Sequence, residues 1–393
     1  MARALALLGA LAVLAGCGTL PRNAVPVELM GEAVIPGMPD VRSWAGRPGR
    51  VLERDLDASF DQESPDEFPR GADGTVRYAH LALSGGGPNG AFGAGLLNGW
   101  TAQGTRPVFK IVTGVSTGAL MAPFAFLGPD YDAALREFYT TTATRNIVRR
   151  LSILPALIAG ESLADSGPLA ALIEQHIDAR LLARVAHAHS RGRRLYIATV
   201  DLDAQRFVVW NMGLIAASGR PEALTLFRKL MLAAASVPII VPPVLFEVEA
   251  GGRRYDEMHV DGAVATSVFV SGGAFGPDIV RERGGRGRAS EEVFVIHNGQ
   301  LRPVPEEVGR SLGSIAQRTL NASSRAAMVG SLFRIYTFTV QAQAGFRWVT
   351  IPDGVEIEGD EAFDPVRMRA LYDVGYDLAR KGTAWTTRPP GLQ

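Results

Sequence analysis

Cysteine is nearly absent: Cys17 is the only one in 393 residues, so no intrachain disulfide can brace the fold. Net charge is absent as well. Forty Lys+Arg balance forty Asp+Glu, and no basic stripe with interleaved aromatics occurs. That removes both the field and the footprint expected of a nucleic-acid binder. No Cys cluster and no His/Asp set offers metal-ligand spacing, so no metal is expected. There is no internal repeat and no second core-sized segment. Past residue 15, no apolar run approaches the length of a bilayer span. What is present is an ordinary globular composition, 47% hydrophobic and 20% charged, with 44 Gly and 24 Pro for many turns. The length permits one large or two medium domains.

The N-terminus reads as a targeting segment rather than part of the fold. Met1-Ala-Arg3 is a short positive start, and Ala4 to Ala15 is an apolar run too short to span a bilayer comfortably. It ends at Leu14-Ala15-Gly16-Cys17, which resembles the lipobox of bacterial lipoproteins. The resemblance implies cleavage before Cys17 and acylation of its thiol, with a plain secretory signal as the alternative. Gly18 stands where an inner-membrane retention Asp would, so the implied destination is the outer membrane of the cell envelope. From Thr19 to about Thr75 the chain is rich in Pro, Gly and charge. Asp55, Asp57, Asp61, Glu63, Asp66 and Glu67 are expected to face solvent. The spacing of Val51, Leu52, Leu56 and Phe60 predicts one short helix.

Regular structure is predicted from Tyr78. Tyr78 to Leu83 is strand-like. Ser84-Gly85-Gly86-Gly87-Pro88-Asn89-Gly90 follows, then a helical segment from Ala91 to Trp100, with Pro88 acceptable at its first turn. Phe109 to Val112 reads as a second buried strand. It runs through Gly114-Val115-Ser116-Thr117-Gly118 into an apolar helix, Ala119 to Leu127. Strand, sharp turn carrying a serine, helix is the nucleophile-elbow pattern. Gly114 and Gly118 fit it because side chains there would collide as strand and helix pass. Further helices are read over Tyr131 to Tyr139, Pro168 to Ala186, Pro221 to Ala235, Glu306 to Met328 and Asp364 to Arg380. Strands are read at Leu195 to Val200, Arg206 to Trp210, Glu292 to His297 and Phe346 to Ile351, with a small hairpin across Gly251-Gly252. The alternation of strands and helices predicts parallel strands with helical crossovers. Ile153 to Gly160 is apolar and borders either core or a lipid pocket; Arg281 to Arg288 reads as an exposed loop.

Three pieces stand in order: SGGGPNG at 84–90, GVSTG at 114–118 and DGA at 261–263. Together, and with the alanine-, serine- and proline-rich stretch from Ala233 to Pro243, they resemble the patatin-like phospholipase family over about residues 78–300. The resemblance implies a three-layer α/β/α patatin-like fold with a largely parallel central sheet. It also implies a Ser–Asp dyad without a catalytic histidine, and hydrolysis of lipid acyl esters without a cofactor. The residues make chemical sense for this. Ser116 needs a base to become a nucleophile, and Asp261 serves if it lies within reach. Gly262 permits a tight turn beside it. Backbone N–H groups of Gly85, Gly86 and Gly87 suit an oxyanion hole, and Gly90 opens the helix behind them. The family loop usually carries Arg or Lys at the position of Asn89, so this chain departs from it there.

The expected organisation is a signal peptide over 1–16, a lipidated tether and wrapping segment over 17–76, and a catalytic domain over 77–390. The expected partners are an acyl-ester lipid and, through acylated Cys17, a membrane. Two alternatives stand beside this reading. One is an α/β-hydrolase triad of Ser116, Asp261 and His297, with His259 as a residue that tunes Asp261 or merely packs. The other is a catalytically inactive envelope lipoprotein using the fold for binding. Gly85, Gly87 and Gly90 also satisfy GxGxxG, but no acidic residue ends the next strand as dinucleotide binding requires, and the loop lacks the Lys-Ser/Thr ending of a P-loop.

Overall fold

The structure is a computed structural model that describes residues 21–45, 50–150, 162–271, 289–303, 305–356 and 361–392. Cys17, the signal-like segment, Ile153 to Gly160 and Arg281 to Arg288 lie outside the described residues.

A nine-stranded sheet organises the chain. Its strands are β1 (Arg42–Trp44), β2 (Val76–Leu83), β3 (Phe109–Gly114), β4 (Arg194–Asp201), β5 (Arg206–Asn211), β6 (Val244–Ala250), β7 (Arg253–Asp261), β8 (Ala289–His297) and β9 (Gly345–Thr350). The path across the sheet is β1-β5-β4-β3-β2-β8-β9, with β7 pairing β4 and β6. The run β4-β3-β2-β8-β9 is parallel throughout. The antiparallel pairs are those that involve β5 and β7. Parallel strands covered on both faces read as continuous apolar runs, and all six residues of β3 are buried.

Alternate residues feed two layers. Leu81, Leu83 and Val112 face a large core built with helices α2 (Gly90–Gln103), α3 (Thr117–Leu127), α4 (Asp132–Thr141) and α9 (Pro365–Arg380). Helices α5 (Gly167–His176), α6 (Ala179–Ser190) and α7 (Ala223–Ala234) complete that side. Ile111, Val115 and Ala82 face the opposite layer, formed by α1 (Arg50–Asp61) and α8 (Leu312–Ala342). This is the period-two alternation of a strand buried on both faces. The fold is the expected three-layer α/β/α arrangement with a largely parallel sheet.

Several details differ from the sequence reading. The wrapping segment adds a strand, β1, to the sheet against β5. The helix read over Glu306 to Met328 runs instead from Leu312 to Ala342, and Ser311 caps its start by accepting from the Ser314 N–H. Pro168 to Ala186 is two helices, not one. The chain breaks after Ile177, and Asp178 caps the second by accepting from the Leu181 N–H at 2.7 Å. The acidic stretch before β2 is also not a solvated face throughout. Asp55 bonds Arg194 and Asn211, each at 2.6 Å. Glu63 bonds the fully buried Lys110 ammonium at 2.6 Å. Burial lowers the Lys110 pKa to about 8 even with Glu63 beside it. Those carboxylates fasten α1 and the residues after it beneath β3 and β4.

Helices α2 and α9 pack backbone to backbone. A Cβ at Gly95 or Gly99 would run into the carbonyls of Tyr372 and Tyr376, and one at Gly375 into that of Phe92. The last long helix is thus seated on the helix that follows the glycine loop.

Candidate active site

The elbow forms where β3 ends. Ser116 has φ 55° and ψ −126°, a backbone conformation that L residues adopt only under constraint. The constraint is local packing: a Cβ on Gly114 would strike the Gly118 carbonyl, and one on Gly118 would strike that of Leu83. Helix α3 starts at Thr117, directly after the serine. Tyr139 of α4 holds that first turn by donating to the Thr117 carbonyl at 2.7 Å.

Asp261 reaches the serine because β7 takes over the edge of β4 that β3 gives up. Gly114 of β3 pairs with Ile197. Two residues further along β4, Thr199 pairs with Asp261. Strand β4 therefore carries the nucleophile's strand and the aspartate's strand end to end along one edge. Gly262 then turns closely over the Ala198 carbonyl, which a Cβ there would meet at 2.8 Å.

The Asp261 carboxylate is buried. Its Oδ1 accepts from the Ala263 N–H at 2.8 Å, and its Oδ2 has no hydrogen-bond partner among the described residues. Burial raises its pKa from the ordinary 3.8 to about 7, a rise partly offset by the Ser116 hydroxyl and the Ala263 N–H. The serine is thus close enough to bias the carboxylate without a fully formed hydrogen bond. That looseness is common where substrate completes the geometry.

The glycine loop packs directly on the serine. A Cβ at Gly85 would lie 3.2 Å from the Ser116 Cβ. Of the three expected donors, Gly85 is already committed, since its N–H donates to the Ser267 carbonyl at 3.1 Å. Gly86 and Gly87 follow, both at positive φ, 155° and 54°, and lead through Pro88 into Gly90 and α2. Gly86 is obligatory on two counts: its φ, and the Asn298 carbonyl that a Cβ would overlap. Gly90 packs against Thr117 and Tyr139, closing the space behind the elbow.

Asn298, which sequence reasoning missed, fastens this loop. Its side-chain amide donates to the Ser84 carbonyl at 2.9 Å and accepts from the Gly93 N–H at 3.1 Å. Its own N–H donates to Ser84 Oγ at 2.9 Å. Its only sequence signal is its place one residue past the end of an apolar strand. A second missed residue is Arg367, which donates to Asn89 Oδ1 at 2.9 Å. A cation from α9 thus reaches the loop position where this chain has no charge of its own.

The histidines lie elsewhere. His297 bonds Thr350 at 2.9 Å, on the β9 side of its strand, while β2 separates β8 from β3. Burial, with Arg325 nearby, lowers its pKa to about 4. His259 belongs to a closed buried network. Trp210 Nε1 donates to Thr199 Oγ1, which bonds His259 Nδ1, both at 2.8 Å. His259 Nε2 lies 3.2 Å from Glu257, which Arg42 also grips. Glu257 is held ionised by Arg42 and His259 and can only accept, so the proton of the neutral imidazole sits on Nε2 facing it, and Thr199 donates to the bare Nδ1. Asp201, Glu257 and His259 come close enough to hold a metal ion. However, both ring nitrogens are engaged, and the arginine occupies the carboxylate a cation would need.

This geometry can do acyl-transfer chemistry: a strained serine, a buried carboxylate with one open oxygen, and a glycine loop lying against the serine. Comparison with known proteins agrees with it. A search of the curated proteins finds no match. Among solved structures, VipD from Legionella pneumophila aligns at 12% identity and TM-score 0.38, covering 82% of this chain and 71% of its own. The complex of SpcU with ExoU from the type III secretion system of Pseudomonas aeruginosa aligns at 16% identity and TM-score 0.22, covering 79% of this chain and 53% of its own. Those overlaps are loose and carry no weight beside the family comparison. Residues 81–272 match the patatin-like phospholipase model, a span that takes in the glycine loop, the elbow and Asp261, and over these residues the chain carries a patatin-like phospholipase domain.

Proposed function

We propose that the protein is a serine carboxylic-ester hydrolase for lipids, working through a Ser116–Asp261 dyad in a catalytic domain over residues 77–390. The observation that carries this reading is the pairing of a strained elbow serine with a buried aspartate whose pKa stands near neutrality. Asp261 Oδ2 takes the Ser116 Oγ proton as Oγ attacks the ester carbonyl. The carbonyl oxygen becomes an oxyanion held by the Gly86 and Gly87 N–H groups at the head of α2, where the helix dipole adds positive potential. Collapse of the tetrahedral intermediate expels the alcohol, which takes the proton from Asp261 and leaves an acyl-serine. Water then attacks, giving its proton to Asp261, and the fatty acid leaves as Ser116 regains its hydrogen.

A pKa near 7 makes this carboxylate a stronger base than an ordinary aspartate while leaving it substantially ionised at neutral pH. The lipobox-like segment adds the second half of the proposal: acylated Cys17 holds the domain at a membrane of the bacterial envelope, the outer one by the residue at 18. One acyl chain anchors only marginally, so stable attachment needs two or more.

The test is covalent labelling by a serine-directed phosphonate, with hydrolysis measured in parallel. Labelling at Ser116 that is lost in Ser116→Ala supports the assignment. His297→Ala should retain most activity, since His297 faces Thr350. A folded His297→Ala as inactive as Ser116→Ala would replace the dyad by a triad, and no labelling with no hydrolysis of any ester would leave the inactive-lipoprotein reading.

A further inference from the structure

The N-terminal segment is fastened to the strand of Asp261 almost from its first described residue. Arg22 grips the Asp203 carboxylate with two N–H groups, at 2.9 and 2.6 Å. Its Nε donates to the Asp256 carboxylate at 2.7 Å. Asn23 extends the grip: its N–H donates to the same carboxylate at 2.6 Å, and its carbonyl accepts the Asp256 N–H at 2.8 Å. The Asn23 amide also donates to the Arg254 carbonyl at 2.8 Å, and Val25 is buried behind them. A bidentate arginine backed by a backbone bond to a strand fixes position more firmly than a single surface ion pair. Further along, Val34 and Glu249 of β6 exchange both backbone bonds, at 3.0 and 2.9 Å, and Arg42 holds Glu257. The residues after Arg22 therefore add no slack to the chain before it.

This grip sits at the same end of the sheet as the elbow. Strands β3 and β4 run parallel, and Asp203 lies in the turn that follows the C-terminal end of β4. The elbow leaves β3 at that edge. Asp256 lies on β7 five residues from Asp261, at most about 17 Å along the strand. Cys17 is five residue steps from Arg22, at most about 18 Å in any conformation. A segment free from Cys17 to β2 would instead span up to about 200 Å and would let any face of the domain meet a membrane. A domain of this size has a radius of about 27 Å. A leash of about 18 Å on such a body keeps the Arg22 face within about 70° of the bilayer normal. Ala102, exposed near the end of α2 and ahead of β3, lies at the other edge of the sheet and cannot come down to the surface.

We propose that the Arg22 grip turns the residues after Cys17 into a short mount: the bilayer that holds acylated Cys17 faces the C-terminal edge of the sheet, and Ser116 works on lipids of that same bilayer. The occupant of this face follows from the length of chain between Cys17 and Arg22 and from where that chain ends. With anchoring and hydrolysis taken from the reading above, the mount adds an orientation to them. It also adds a restriction, since the dyad is held over its own membrane and away from any other.

The experiment uses the acylated full chain in vesicles of phosphatidylethanolamine and phosphatidylglycerol that carry a lipid-borne energy-transfer acceptor. Cys17 is the only cysteine. Once it is acylated, Leu202→Cys beside Asp203, or Ala102→Cys at the far edge, supplies a single thiol for a donor dye, and both positions are exposed. Transfer from position 202 should exceed that from position 102 by about threefold or more. Inserting a flexible Gly/Ser linker of about twenty residues between Leu20 and Pro21 should bring the two nearly level, because the leash then outreaches the radius of the domain. The same insertion should lower hydrolysis of the host vesicle's lipids about tenfold, while hydrolysis of a short soluble ester stays within about twofold. Equal transfer from the two positions in the parent, or an unchanged difference after the insertion, overturns the mount. A chain without acyl label that shows no transfer from either position overturns the anchoring at Cys17 and the mount with it. Unequal transfer in a chain that hydrolyses neither lipid nor soluble ester overturns the hydrolase reading and leaves the mount standing.

Discussion

Asp261→Asn separates the chemistry of this site from its energetics. The substitution is nearly isosteric, and the amide oxygen can still accept from the Ala263 N–H. Hydrolysis should fall by about 10²–10⁴, the usual worth of a general base. Stability should move with pH in a definite sense. The folded pKa of Asp261 is raised from 3.8 to about 7, so folding favours the protonated acid. The contribution is fully present below the unfolded value and is lost as pH rises through about 7. Over that window the parent loses about 1.4 kcal/mol per pH unit relative to Asp261→Asn, which has no proton to lose. The accumulated difference is on the order of 4 kcal/mol and flattens above pH 7. Because the buried amide N–H₂ replaces an unpartnered oxygen, a constant offset of about 1–3 kcal/mol accompanies it without changing the slope. Urea unfolding of both proteins from pH 4.5 to 9, beside a kcat/KM profile on a soluble ester, reads both quantities. The parent profile should rise through a single ionisation near 7. A stability difference that is flat across the series would refute the buried-base argument, as would residual hydrolysis within tenfold of the parent.

Three further outcomes follow from the geometry. Gly86→Ala collides with the Asn298 carbonyl and forces a β-carbon onto φ 155°, so the loop must shift; a fall in kcat of about 10²-fold or more is expected, and wild-type kcat in a folded variant would remove Gly86 from the oxyanion hole. Arg367→Ala should reduce kcat about tenfold through the loop contact at Asn89, and adding Asn89→Arg should restore much of it by placing the cation on the loop itself; equal activity in the single and double variants would show that charge at this position is immaterial. Cys17→Ala should abolish incorporation of radiolabelled fatty acid into the protein, and persistent labelling would place the lipid elsewhere.

The core of the site was legible because each part is a short contiguous signal. The glycine loop, the elbow and the Asp261 turn each announce a tight backbone path, and the flanking strands show as apolar runs. The parts that hold the site in place were not legible. Asn298, Tyr139 and Arg367 are single polar residues on β8's exit, α4 and α9, and nothing local distinguishes them from surface residues. Their roles exist only once strand order sets β8 beside β2 and α9 on α2. The acidic stretch was misread for a related reason: charge in a sequence does not disclose its partner, and Lys110 lies within, and Arg194 just before, a run that reads as an apolar strand. Gly85 shows the same limit at closer range. It belongs to the right loop, but its N–H is consumed by Ser267, a contact no motif records.

The close seating of α9 on α2 has a consequence for the order in which the enzyme comes to life. During synthesis the serine emerges first, the aspartate about 145 residues later, and the helix that seats the glycine loop about 100 residues after that. Until Gly375 and its neighbours lie against Phe92, the face of α2 that they cover is open and the loop ahead of it lacks both its support and Arg367. A nascent chain therefore carries Ser116 and Asp261 well before its glycine loop is rigidly held. The proposed hydrolysis is thus acquired late, when the last long helix docks.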